Sequence, residues 1–160
     1  MSKVLIAYAS KHGCTEECAK NLAGKMNTEV DLCNLKEKKQ IDLNTYDKVI
    51  LGGSIYAGRI QKEVRDFCSK NESILKEKKL GLFICGMRQG DEAKKQLMAA
   101  FPQGLLNAAL AKESLGGKME INKMNFMEKK IIKMVAKVES DFINLPENVM
   151  DQFAHVMNEA

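Results

Sequence analysis

The sequence predicts an α/β protein: a doubly wound, five-stranded parallel sheet covered by helices on both faces, a three-layer α/β/α sandwich. Three observations lead there. Nearly continuous apolar runs alternate with helical periodicity along the whole chain, the pattern of a parallel sheet buried on both sides. The first apolar run ends in a turn of hydroxyls and glycine, Ser10-Lys11-His12-Gly13-Cys14-Thr15, directly before a helical pattern. The chain has 160 residues, 45% hydrophobic and 29% charged, which suits one globular domain with a substantial core, residues 1–160.

The elements follow in order. Strand one is expected near 3–9, where Val4-Leu5-Ile6-Ala7-Tyr8-Ala9 reads as fully buried. Helix one is expected near 14–26, with Cys18, Leu22 and Met26 on one face. Strand two, near 29–34, alternates and reads as an edge strand. Strand three is expected near 48–53, and a helix near 61–76 carries Val64, Phe67, Cys68, Ile74 and Leu75. Strand four is expected near 80–85. Helical pattern returns at 91–101, is broken by Pro102, and resumes near 104–111. A fifth strand is expected near 113–121, across Gly116-Gly117. Two helices close the chain, near 125–139 and 147–158, with Pro146 in the first turn of the last. Right-handed crossovers turn this order into a sandwich.

In such a fold the ligand lies outside the carboxyl ends of the strands. The loops that converge there are Ser10–Thr15, Gly52–Arg59 and Gly86–Asp91. A helix N-terminus presents backbone N–H groups and a positive dipole end. Gly13 lets the backbone approach an anion, and Ser10 and Thr15 add hydroxyls. The first loop therefore reads as a phosphate cradle for a mononucleotide. An ordinary turn with Ser10 or Thr15 as N-cap is the alternative. The loop lacks both the three spaced glycines of a dinucleotide fingerprint and the closing Gly-Lys-Ser/Thr of a Walker loop.

Composition narrows the function further. No apolar run reaches the about 18 residues of a membrane span, and no leader pattern precedes the first strand, so a cytoplasmic protein is expected. The cysteines at 14, 18, 33, 68 and 85 form no C-x-x-C pair, which suits reduced thiols. No zinc set completes Cys14 and Cys18 by spacing, so no metal is expected. Cys14 reads as a packing or loop residue. The net charge is +4, but the lysine runs lack interleaved aromatics, so no nucleic acid is expected as a partner. A receiver domain would need acidic residues where Ser10-Lys11 and Gly53-Ser54 stand, and a small phosphatase would need an Arg six residues after Cys14, which is absent.

Taken together, S-K-H-G-C-T, G-G-S-I-Y-A-G-R and C-G-M-R-Q-G-D resemble the flavodoxin family over nearly the whole chain, from Lys3 to about Val156. The chain is most similar to the branch of flavodoxin domains that includes menaquinone-dependent protoporphyrinogen oxidase. Four segments carry that resemblance: residues 9–15, residues 52–59, Gly116-Gly117-Lys118, and the amphipathic helix from Asn125. The resemblance implies the sheet order 2-1-3-4-5, with that extra helix between strand five and the last helix. It implies one FMN bound noncovalently, working in electron transfer or oxidoreduction. Ser10, Thr15 and the N–H groups of Lys11, His12, Gly13, Cys14 and Thr15 would hold its phosphate, with charge added by Lys11 and His12. The backbone of Gly53, Ser54, Ile55, Tyr56, Ala57 and Gly58 would meet one edge of the ring, and Gly86, Met87, Arg88 and Asp91 would flank the other side.

Flavodoxins often stack a Trp and a Tyr on the flavin. This chain has no Trp, and Tyr56 is the stacking candidate; packing is its alternative role. Arg59 or Arg88 near the ring would raise its potential, or each is a surface ion pair. Asp91 is expected to cap the following helix. In the helix near 125–139, Met127, Ile131, Met134, Val135 and Val138 span an arc of about 100°, opposite Lys129, Lys130, Lys133 and Lys137. That helix packs on the core, or its basic face meets an acidic partner or the headgroups of a quinone-bearing membrane. The redox counterpart is expected to be a partner protein or a quinone-type acceptor. Whether the chain is itself an enzyme is left open, as are the oxidase alternative, an FMN-free interaction module and the oligomeric state.

Overall fold

The structure, a computed structural model, describes residues 3–10, 13–38, 40–56, 58–119 and 142–160. Five parallel strands form the sheet: β1 (Lys3–Ala9), β2 (Glu29–Asn34), β3 (Lys48–Tyr56), β5 (Lys79–Cys85) and β6 (Ala111–Ser114), in the order β2-β1-β3-β5-β6. A short β4 (Arg59–Ile60) turns back antiparallel on β3. Counting only the parallel strands, this is the expected order 2-1-3-4-5. The helices are α1 (Cys14–Lys25), α2 (Lys62–Leu75), α3 (Gly90–Ala100), α4 (Gln103–Ala108) and α5 (Glu147–Glu159).

Alternation along the strands builds the two halves of the core. Leu5, Ala7 and Ala9 of β1, Val49 and Leu51 of β3, and Leu80, Leu82 and Ile84 of β5 face a cluster with Val64, Phe67 and Leu75 of α2, Leu97 of α3, and Leu105 and Leu106 of α4. Val4, Ile6 and Tyr8, then Ile50, then Phe83 and Cys85, face a second cluster with Cys18 and Leu22 of α1 and Met150, Phe153 and Met157 of α5. Successive residues point to opposite faces, so a strand apolar at every position is required to feed both halves.

Aromatic packing in the second half depends on missing side chains. The rings of Phe83 and Phe153 meet edge to face at 6.3 Å, the favoured quadrupole geometry. A Cβ on Gly52 would stand 2.0 Å from the Phe83 ring, and one on Gly81 2.9 Å from that of Phe153. These two glycines are the sockets of the two rings.

The third strand runs through Tyr56 rather than stopping near residue 53, and it folds into a tight hairpin with Ile55 opposite Ile60 and Tyr56 opposite Arg59. Gly58, at φ +80°, supplies the left-handed turn. The expected fifth strand is divided. β6 ends at Ser114, Gly116 adopts φ +88°, and β7 (Gly117–Met119) leaves the sheet to pair antiparallel with β8 (Phe142–Asn144). Pro146 precedes α5 as its N-cap instead of opening its first turn. The amphipathic helix expected over 125–139 lies outside the described residues.

Candidate functional site

The site is built at the carboxyl rim of the sheet. Register places Ala9 beside Gly53, and Ser54 beside Cys85. The chain therefore leaves β1, bends in β3 and leaves β5 at one level, and the three predicted loops converge.

The first loop is held by a local bond: the Gly13 N–H donates to Ser10 Oγ at 2.9 Å. Gly13 is the N-cap of α1 at φ +86°, and no side chain caps that helix. Among the described residues, a Cβ on Gly13 would meet nothing within 4 Å. Neither Ser10 nor Thr15 is the N-cap. Ser10 is half-buried, while Thr15 is fully buried and its hydroxyl bonds to that of Ser54. Thr15 thus ties the first loop to the second from behind, leaving Ser10 and backbone groups at the front. Lys11 and His12 lie outside the described residues. Tyr8 adds a second brace, donating to Glu16 Oε1 at 3.1 Å. Burial, with this bond, pushes its phenol up to about 12.

The second loop is more ordered than its sequence suggests. Gly53 is buried, and a Cβ there would lie 2.7 Å from Ile60 and 2.9 Å from Gln61 Oε1. Gln61, the residue before α2, accepts from the Ser54 N–H at 2.8 Å. Ser54, Ile55 and Tyr56 are half-buried, Gly58 and Arg59 are exposed, and Ala57 lies outside the described residues. A cleft of about 210 Å³ lies between this hairpin and α3, lined by Ile55, Arg59, Arg65 and Gln96 among others.

The third loop is fastened from beyond β6. The Gly86 N–H donates to Gly116 O at 2.9 Å, and a Cβ on Gly117 would be 2.2 Å from Gly86 O. The Gly116-Gly117 pair therefore permits a close backbone crossing. Met87 and Arg88 are half-buried. Arg88 pairs with Glu92 at 3.3 Å, the ion-pair role foreseen as its alternative. Asp91 does not cap α3; Gln89 is the N-cap, without a side-chain bond, and Asp91 sits exposed in the first turn, where a negative charge suits the dipole. Arg88, Gln89 and Gly90 also line a shallow cleft of about 160 Å³ with Ser114, Gly116 and Pro146.

Two residues absent from the sequence reading stand behind the rim. Gln61 Nε2 and Gln96 Oε1 are buried with no hydrogen-bond partner among the described residues. Gln96 Oε1 lies 3.5 Å from the position of a Cβ on Gly86. Buried polar atoms are nearly always paired, and unpaired ones beside a binding rim mark a site that polar contacts can complete. Nothing in the composition around Gln61 or Gln96 flags them, since a glutamine in a helical pattern reads as surface.

Three thiols also gather under the first loop. The sulfurs of Cys14, Cys18 and Cys85 lie within 4.8 Å of one another, all buried. Linear spacing shows only the first two; Cys85 arrives from β5. Contact with Cys14 drives the Cys18 thiol well up, and contact with Cys14 and Cys18, then burial, does the same for Cys85.

Among the described residues no helix is long and apolar enough to cross a membrane. The family described as flavodoxin domain matches residues 5–144. No curated protein sequence gives a significant match. Similar solved structures include oxidised flavodoxin 1 from Bacillus cereus, with TM-score 0.61, 19% identity, and coverage of 99% of this chain and 98% of that one. A short-chain flavodoxin associated with a non-canonical PDU bacterial microcompartment gives 0.64 and 16%, covering 99% and 98%. Rubredoxin oxygen:oxidoreductase from Desulfovibrio gigas gives 0.62 and 19%; this chain is covered to 99% but spans only 37% of that longer protein. At these identities the structures establish the shared fold.

Proposed function

This chain belongs to the flavodoxin-domain family, and from that premise we propose that it binds one FMN at the carboxyl rim and exchanges electrons through it. The observation that carries the reading is the mouth of α1. Its N-cap is a glycine, and among the described residues nothing lies within 4 Å of where that residue's side chain would start. A phosphate there meets the positive helix end and close backbone approach.

The residues present suit the rest of the group. Ser10 offers its hydroxyl beside the anion while holding the loop closed through Gly13. Thr15 and Ser54 lock the first two loops in register, so the phosphate seat and the ring seat keep a fixed separation. Ser54, Ile55 and Tyr56 form one wall, and Tyr56 supplies the aromatic face. Gly86 and Met87 form the other wall, where the lack of an aromatic leaves the ring open toward a docked redox partner or a quinone-type acceptor. Arg59, exposed at the hairpin tip, sets the positive sign of that approach. When bound, FMN supplies reversible one- and two-electron transfer; the protein supplies position, electrostatics and exclusion of water.

Titration of flavin-free protein with FMN, read by quenching of flavin fluorescence, tests the reading. The expected result is saturable quenching at one FMN per chain, with riboflavin, which lacks the phosphate, binding at least about tenfold more weakly, a loss of about 1.4 kcal/mol. Absence of quenching, or equal affinity for the two flavins, overturns it.

A further inference from the structure

Cys14, Cys18 and Cys85 place three sulfur atoms in one pocket from two distant stretches of chain. Cys14 and Cys18 are one turn apart on α1 and face the sheet; Cys85 ends β5 and points to the same side as Phe83. Their sulfurs lie within 4.8 Å of one another, and those of Cys18 and Cys85 are 3.4 Å apart. An ion bound in a plane by three thiolates at about 2.3 Å requires sulfurs about 4.0 Å apart. The Cys18–Cys85 separation falls short of that size by a few tenths of an ångström, and no pair exceeds it by more than about 0.8 Å.

We propose that these three cysteines form a binding site for one soft monovalent cation of the cuprous type, coordinated by sulfur alone. The environment selects the ion. Thiolate ligands favour soft metals over hard ones. The pocket belongs to a buried cluster with Leu22, Phe83, Leu115 and Met150, so an ion that retains water is disfavoured. Zinc in structural sites takes four protein ligands, and this cluster supplies three. On binding, three thiol protons leave to solvent; the complex then carries a net charge of about −2, part of which the N-terminal end of α1 opposes. Cys14 opens the helix and is the one member of the trio at the loop mouth, 7% exposed, which gives the ion a way in.

A disulfide is the competing fate of close thiols. It would require the Cys18–Cys85 distance to fall to about 2.05 Å, would leave Cys14 unused, and would need an oxidant. A three-sulfur ion site uses all three residues and needs none. The cluster adjoins the helix end proposed to seat the phosphate, and because its test uses protein without flavin, the two readings fail separately.

The test is an anaerobic titration of the reduced, full-length protein with Cu(I) against bicinchoninate, a chromogenic chelator. One Cu(I) per chain is expected to leave the chelator, X-ray absorption is expected to show a shell of three sulfurs, and Zn²⁺ in excess is expected not to displace it. Cys14→Ser and Cys85→Ala are each expected to weaken binding at least about 100-fold, whereas Cys33→Ser leaves it unchanged. Cys14→Ser alters the loop mouth rather than the deepest packing, so it keeps the test valid if Cys85→Ala fails to fold. Copper remaining on the chelator, affinity that survives Cys14→Ser, or a Cys18–Cys85 disulfide in the mass of the untreated protein overturns the proposal.

Discussion

At Gly52 the β3 backbone runs under the Phe83 ring with no room for a single carbon: the added Cβ would meet ring atoms at 2.0 to 2.4 Å. The backbone is pinned on both sides by parallel ladders, so the ring must move. Gly52→Ala is therefore expected to destabilise the fold by about 2–3 kcal/mol, an overpacking cost, measured by urea denaturation. A smaller side chain opposite should restore part of it. Phe83→Leu is expected to destabilise alone, but less so in the Gly52→Ala background, giving a coupling energy of about 1 kcal/mol or more between adjacent sites. Gly53 obeys the same logic against Ile60 and Gln61, and there the close approach shapes the rim itself. The paired glycines were visible in the sequence as a loop signal, but their reason, one ring and one glutamine on opposite faces, was not.

Among the elements, α5 and β2 are each held in part by a polar device that periodicity does not reveal. Lys48 is 4% exposed, and its ammonium donates to the carbonyls of Met157 at 2.7 Å and Asn158 at 3.3 Å. A cation at the last carbonyls of a helix satisfies otherwise unpaired acceptors and meets the negative dipole end. Lys48→Met keeps the stem and removes the donors, so a loss of about 2 kcal/mol is expected, with faster amide exchange at the end of α5. The edge strand β2 is fastened through Asp31, which accepts from the Tyr46 hydroxyl at 2.7 Å and pairs with Lys3 at 3.2 Å. The Tyr46 bond first, then Lys3, holds the Asp31 carboxyl below its ordinary range. A lowered folded value means that the contribution is present above the unfolded value, near pH 4, and is lost as pH falls through the folded one. Tyr46→Phe is expected to flatten the fall in stability between about pH 4 and pH 2, measured by denaturant midpoints over that range.

Over the whole molecule, ligand binding and stability are linked because the rim is assembled from three separated crossovers. Thr15 to Ser54, Gly86 to Gly116 and Ser54 to Gln61 join loops that the unfolded chain leaves apart. FMN at one hundred times its dissociation constant is expected to stabilise the protein by about 2.7 kcal/mol. For a domain of this size that is a rise in melting temperature of roughly 5–10 °C, read by differential scanning fluorimetry or calorimetry. Gly13→Asp places a carboxylate at the N-cap, in a left-handed conformation that Asp tolerates. It is expected to abolish the FMN-induced rise by repelling the phosphate, and to lower the melting temperature without ligand by several degrees, because a side chain at φ +86° is still strained. An unchanged FMN-induced rise in that variant would place the phosphate elsewhere.

The linear sequence determined the alternation of strands and helices and the position of the first loop, because each depends on periodicity and on neighbours a few residues apart; the strand order followed only from the family resemblance. Ser10 to Thr15 was legible for that reason: strand, turn and helix start are all local. What only the tertiary structure decided is which side chains meet across crossovers. The hairpin at Gly58, the division of the last strand at Gly116, the unpaired amide atoms of Gln61 and Gln96, and the third thiol of the Cys14–Cys18–Cys85 cluster all depend on long-range pairing. Strand register fixes each residue's face and height, and a shift of one residue would send every side chain to the opposite layer.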